Sequence, residues 1–126
     1  MTSSLSLDDE ISDKENLYRG IHNSQWNFKD SRPSSAAFKD RKGLSVDRCN
    51  FRPEEEVIEF LIEKKNFQGV VKIDVPFVKQ LPAQAIYSKV EGNIFHSEIQ
   101  DMEKLELSRG KAKKLSANSI IVYRQD

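Results

Sequence analysis

Apolar and polar residues alternate over "NLYRGI" (16–21) and "LSVDR" (44–48), the two-residue period of a strand with one buried face. "GVVKIDV" (69–75) is rich in β-branched residues and predicts a buried strand. "QAIYSKV" (84–90) predicts another, closed by the turn "EGN", and "SIIVYR" (119–124) the last. "IFHSEI" (94–99) fits a strand or the start of a helix, and "SSAAF" (34–38) a strand or a single helical turn. The period changes after Pro53. Val57, Ile58, Leu61 and Ile62 form one stripe, Glu54, Glu55 and Glu56 complement the positive helix end, and Lys64 and Lys65 the negative end. This predicts a helix from Pro53, at its first position, to about Lys65. "LSRGKAKKLSANS" (107–119) predicts a second helix with Ser108 as N-cap. Pro76 and Pro82 bracket "FVKQL", a connector or single helical turn, and residues 23–33 read as a loop.

These elements define an α+β protein: a single domain with about five strands in a mixed or mostly antiparallel sheet and two or three helices. At 126 residues the chain has the length of one domain. The Ser- and Asp-rich residues 1–14 form a flexible leader, and residues 15–126 the globular unit.

Composition narrows the chemistry. Cys49 is the lone cysteine, which rules out an internal disulfide and a cysteine metal cluster and suits a reducing compartment. No apolar run approaches the ~20 residues that cross a bilayer, and the N-terminus lacks the features of a secretory signal. The expectation is a soluble cytoplasmic protein without a membrane partner. Twenty bases balance twenty acids, so no global field draws the chain to nucleic acid. The balance is uneven, however. Residues 1–16 hold five acids against Lys14, and residues 29–52 hold seven bases against three acids.

Known catalytic signatures are missing. There is no phosphate-binding G-x-x-x-x-G-K-[ST] loop, no G-x-G-x-x-G and no G-x-S-x-G elbow. Two histidines and one cysteine stand in no paired zinc spacing, and "HSE" (96–98) lacks the P-C-x-x-C of zinc deaminases. No metal site and no cofactor are implied.

The remaining polar candidates are few. Arg19, opposite in face to Tyr18, can offer a fork to phosphate or carboxylate, or simply lie solvated or paired on the sheet. His96 and Glu98 share a face if 94–99 is a strand and stand roughly 200° apart if it is a helix. His96 is then either a proton-transfer group or a hydrogen-bonded histidine at the core's edge. Ser34, Ser35 and Ser45 would need His22 or His96 nearby to act as nucleophiles; otherwise they satisfy turns or donate to a ligand. Lys39 joins them on the basic stretch. Trp26 and Phe28 could stack on a base or plug the rim of the core.

"LYRGI", "RPSSAAFKDRKGLSVDR" and "IFHSEI" together resemble a family of small uncharacterised prokaryotic and phage-type proteins. Its pattern is an R-P-S-S-x-x-F-x-D-x-x-G-L-S-V-D block and a later histidine in an H-A-x-I setting. Arg32 to Ser35, Phe38, Asp40 and Gly43 to Asp47 match the block; Ser97 replaces the alanine after His96, and the proline expected before the histidine is missing. The likeness covers roughly residues 17–48 and 94–116. It implies no particular reaction, only that the polar residues of the first block and His96 belong to one site.

The functional expectation is a protein that binds, and in an enzymatic version processes, a nucleotide or RNA. Arg19 would hold phosphate, His96 would move a proton, and Ser34, Ser35, Lys39 and Ser45 would contact the ligand, as in a toxin-like nuclease or a nucleotidyl- or ADP-ribosyl-type transferase. The alternative is a non-catalytic module whose basic 29–52 surface binds an acidic protein. Convergence of Arg19, Ser45 and His96 on one concave pocket separates the two.

Overall fold

The computed structural model describes residues 10–125. Most of the expected leader, residues 1–9, therefore lies outside the described residues. Its remainder is tied to the domain: Asp13 pairs with Lys79, and the Glu10 carbonyl accepts from Arg48 Nη2 at 3.4 Å.

Among the described residues eight strands and three helices follow one another: β1 (Asn16–Ile21), β2 (Trp26–Asn27), β3 (Arg32–Pro33), β4 (Leu44–Arg48), α1 (Glu54–Glu59), β5 (Gly69–Asp74), α2 (Val75–Gln80), β6 (Ala83–Tyr87), β7 (His96–Asp101), α3 (Arg109–Asn118) and β8 (Ile120–Arg124). Six strands form one antiparallel sheet in the order β6-β7-β4-β1-β5-β8; β2 and β3 make a separate two-stranded ribbon inside the expected 23–33 loop. The α+β class, the single mostly antiparallel sheet and the helix count are as the periodicity indicates. "IFHSEI" resolves as a strand that begins at His96, and "SSAAF" as a 3₁₀ turn over Ser35–Phe38.

Alternation in the strands divides the interior in two. Leu17, Ile21, Leu44, Val46, Val71, Ile73 and Ile99 face α2, α3 and the 3₁₀ turn, which supply Val75, Val78, Ala112, Leu115, Ala37 and Phe38. Tyr18 and Val70 face the other way and pack under Val57 of α1 and Leu61 of the turn that continues it. Of the stripe predicted for that helix, Val57 and Leu61 are buried and Ile58 and Ile62 lie at its margin. Tyr18 donates its hydroxyl proton to Glu54 at 2.8 Å. Burial and that hydrogen bond push its phenol well above the usual range, so it stays a donor.

Two details of the helix differ from the expectation. Pro53 is the N-cap, extended at ψ 142°, so the helix starts one residue later than expected; the Pro53 carbonyl accepts from the Glu56 N–H at 3.1 Å. The last turn, Phe60–Lys64, widens into a π-helical turn. It ends where Asn66 adopts φ +60° and the Phe67 N–H reaches back to the Leu61 carbonyl at 3.1 Å, an asparagine version of the left-handed helix stop. That stop aims Phe67 at the sheet.

Arg48 and Glu15 form the polar anchor of the interior. Both are 1% exposed; Arg48 Nε and Nη2 donate to the carboxylate at 3.0 and 2.6 Å, and Ser12 and Asn50 N–H groups add 2.9 and 2.8 Å bonds. Burial pushes the Glu15 carboxyl up, but its hydrogen bonds to Arg48, Ser12 and Asn50 outweigh this and hold it below the ordinary value of 4.5. A depressed carboxyl stabilises the fold above its unfolded value and loses that contribution as pH falls through the folded one. Glu15→Gln should accordingly cost about 3–5 kcal/mol near neutrality, by leaving a buried cation without its counter-charge, and should flatten the acid side of the stability profile. Urea denaturation of both proteins between pH 3 and 7 measures both effects.

Candidate functional site

The site begins where the sheet opens. β1 runs alongside β5 over its full length but pairs with β4 only through Leu17↔Arg48 and Tyr18↔Asp47. Beyond Tyr18 the two strands part, and the Arg19 side chain spans the gap. Its Nε donates to the Ala37 carbonyl at 2.9 Å and its Nη1 to the Ser45 carbonyl at 2.7 Å. Burial lowers its pKa to about 10, with Asp40 acting in the opposite sense, so the guanidinium stays charged at neutral pH. Arg19 thus replaces the missing backbone ladder between β1 and β4.

A cavity of about 220 Å³ lies in this opening, lined by Arg19 and Gly20 of β1, by Ser45 and Asp47 of β4, by His96 and Asn93, and by Leu61, Lys65 and Phe67 from the end of the helix. Gly20 is required for close approach: a Cβ there would lie 2.1 Å from the Phe67 ring. Phe67 also packs on the His22 ring, 4.6 Å between centroids.

Period-two placement brings the polar groups to one face. Ser45 and Asp47 alternate along β4, and β7 sets His96 directly opposite Asp47 and Glu98 opposite Ser45. His96 Nε2 lies 3.3 Å from Ser45 Oγ, and its Nδ1 lies 2.8 Å from the Ser88 carbonyl and 3.3 Å from Ser88 Oγ. A carbonyl can only accept, so Nδ1 carries the proton in that contact. In the neutral ring Nε2 then presents its lone pair to the serine hydroxyl.

Asp47 is 3% exposed. Asn93 Nδ2 donates to its Oδ1 at 2.9 Å, while Oδ2 is buried without a hydrogen-bond partner. Burial raises its carboxyl above the usual range, against smaller opposing effects from Asn93, Arg52, His96 and Lys65. The proton is therefore held more tightly than by an ordinary aspartate. Arg19 and Lys65 bring two basic side chains to the same cavity.

Arg19, Ser45 and His96 thus meet at one cavity, whereas Ser34, Ser35 and Lys39 stand apart from it. Ser34 caps the 3₁₀ turn through its carbonyl, which accepts from Ala37 N at 3.0 Å, and Ser35 opens that turn. Lys39 Nζ donates to the Leu107 carbonyl at 2.8 Å and lies 3.6 Å from Glu106. Glu98 shares the face of His96, but its carboxylate accepts from Gln100 at 2.9 Å. Trp26 fills the core's rim at 5% exposure beneath the Arg124 guanidinium, and Phe28 projects at 74% exposure.

The basic stretch is not one free face. Arg32 donates to the Ser116 and Ser119 carbonyls, Lys39 joins Leu107 and Glu106, Arg48 holds Glu15, and Arg52 donates to the Cys49 and Arg48 carbonyls while stacking on Phe95. Four of its seven bases are structural.

Asp47, Asn93, Lys65 and Phe67 were not named as site residues from the sequence; Asp47 entered only with the block it closes, and Lys65 only as a helix-end charge. Asp47 carried a readable signal, lying two residues from Ser45 in an alternating strand. The other three reach the cavity through turns that no local period encodes.

Among the described residues, no group of three or more histidine, cysteine, aspartate and glutamate side chains could hold a metal ion, and no helix is long and apolar enough to cross a membrane. Comparison of the chain with family models, curated proteins and solved structures finds no match, so the site is read from its own geometry.

A raised folded-state carboxyl pKa favours the fold at low pH and opposes it once pH rises through that value. Asp47→Asn, which keeps an acceptor for Asn93, should therefore stabilise the protein at pH 8 and lose that advantage as pH falls below the unfolded value of 3.8. Thermal melts across that range show the sign.

Proposed function

We propose that this is a cytoplasmic protein that binds a small anionic ligand, a nucleotide or the phosphate-bearing end of an RNA, in the cavity between β1, β4 and the end of α1. What carries this reading is the meeting of Arg19, Ser45 and His96 at one concave site beside Lys65. The Arg19 guanidinium, shifted by burial yet still charged, is weakly screened and attracts an anion, and the exposed Lys65 adds a second charge at the mouth. Arg19, already bonded to two carbonyls, acts through its field and by holding the Ser45 backbone; Lys65 is the direct anion partner. Ser45 meets the ligand's oxygens through its hydroxyl, with His96 Nε2 beside it as an acceptor. At about 220 Å³ the cavity is smaller than the ~300–1,000 Å³ of sites that enclose drug-sized ligands, so it takes one phosphate or sugar unit and leaves the rest of the ligand outside. The buried free thiol of Cys49 suits the reducing compartment.

The alternative use of the basic stretch loses its support with four of the seven bases engaged in the fold.

Amide NMR titration of the labelled chain with inorganic phosphate, AMP and a short oligoribonucleotide tests the proposal. Shifts should cluster on Gly20, Ser45, Phe67 and His96. Lys65→Ala should weaken the Kd about tenfold, the loss of about 1.4 kcal/mol from one charge-assisted contact. Charge reversal at Arg41 and Lys42 should leave it unchanged. A silent spectrum at millimolar ligand, or shifts confined to residues 39–42, would overturn the reading.

A further inference from the structure

We infer that Ser45 and His96 form a nucleophile–base pair for acyl transfer, and that the substrate is a small carboxylic ester with an anionic group nearby. The inference rests on the anion-binding reading of the same cavity for the anionic part of the substrate alone. The dyad stands on its own geometry. A serine becomes a nucleophile when a base lies within hydrogen-bond reach and a third group orients that base. Here the base is 3.3 Å from Ser45 Oγ, and the Ser88 carbonyl at 2.8 Å fixes the tautomer that turns Nε2 toward the hydroxyl. Ser88 N–H also donates to the His96 carbonyl at 3.1 Å, so both ends of the histidine are held by β6's continuation. The serine is held too, through its carbonyl, by Arg19.

Donors for a developing oxyanion line the same cavity. The Asn16 carbonyl accepts from Cys49 N at 3.1 Å, so alternate residues of β1 direct their backbone polar groups toward β4. Gly20 is the next such residue past the last β4 pair, so its N–H is directed into the gap between the strands, and it lines the cavity. Lys65 supplies a full positive charge beside it. Donors and charge of this kind stabilise a tetrahedral intermediate where water is partly excluded.

The step balances with water alone. Ser45 Oγ attacks the ester carbonyl and gives its proton to His96 Nε2 as the carbonyl pair moves onto oxygen. Collapse of the intermediate breaks the bond to the alkoxy group, which leaves as the alcohol with the proton from Nε2. A water then attacks the acyl-serine, Nε2 relays its proton back to Oγ, and the carboxylic acid departs. The apolar walls, Leu61 and Phe67, accommodate a short acyl chain, and Lys65 pairs with the anionic group.

Incubation of the full chain with p-nitrophenyl acetate, and separately with a fluorophosphonate, tests this by intact mass and peptide mapping. The expected result is one adduct on Ser45, absent in Ser45→Ala and formed at least about 100-fold more slowly in His96→Gln, the scale of general-base assistance. Amide spectra of both variants establish that they are folded. Absence of the adduct, its persistence in Ser45→Ala, or an unchanged rate in folded His96→Gln would overturn the dyad. So would turnover of p-nitrophenyl phosphate with the acetate ester untouched. If phosphate still shifts the cavity amides while no adduct forms, the dyad falls and the binding site stands; if neither is seen, both fall.

Discussion

The join between β1 and β4 is the constraint on which the rest depends. At one end it is closed by two residue pairs and by the buried Arg48–Glu15 ion pair, whose carboxylate also gathers the Ser12 and Asn50 N–H groups. At the other end a second arginine, Arg19, keeps the strands bridged by side-chain bonds to two carbonyls. An ion pair of this depth contributes little net stability compared with apolar packing, but removing one partner is costly. It therefore works as a positional lock. The strands are bound to meet at Arg48 and to part after Tyr18, and the cavity is the space left by that parting.

The same opening explains the chemistry of the site. A continuous ladder would have buried Gly20's backbone groups and filled the space beneath Phe67. Instead Ser45, Asp47 and His96 face a small volume with apolar walls and two cations. Low polarity there acts oppositely on its two kinds of charge. It pushes the Asp47 carboxyl toward the neutral form and leaves the guanidinium of Arg19, lowered only to about 10, still charged.

Much of the fold was legible locally. The strand at 16–21, the strand at 44–48, the helix after Pro53 and the Ser108 cap each follow from a period or a terminus signal spanning a few residues. Ser108 does accept from Lys111 N at 3.3 Å. The ambiguous "IFHSEI" became a strand because β4 and β6 pair with it on both sides, a non-local gain that no propensity within six residues contains. The basic stretch misled for a related reason. Its net charge is a property of the sequence, but whether each base reaches solvent or a carbonyl is settled by what packs over it.

By itself, then, the sequence determined the alternating faces that set Ser45 and Asp47 side by side, the amphipathic helix, and the supply of an arginine, a serine and a histidine, since each of these depends on spacing within one element. Only the tertiary structure decided that β7 would lie against β4 with His96 opposite Asp47, that Ser34 and Ser35 would build a 3₁₀ turn while Lys39 reached Leu107 and Glu106, and that Lys65 and Phe67 would close over Gly20. Those outcomes depend on pairing between segments some fifty residues apart, from Ser45 to His96. They arise from burial shared among several elements, so no single stretch of chain carries them.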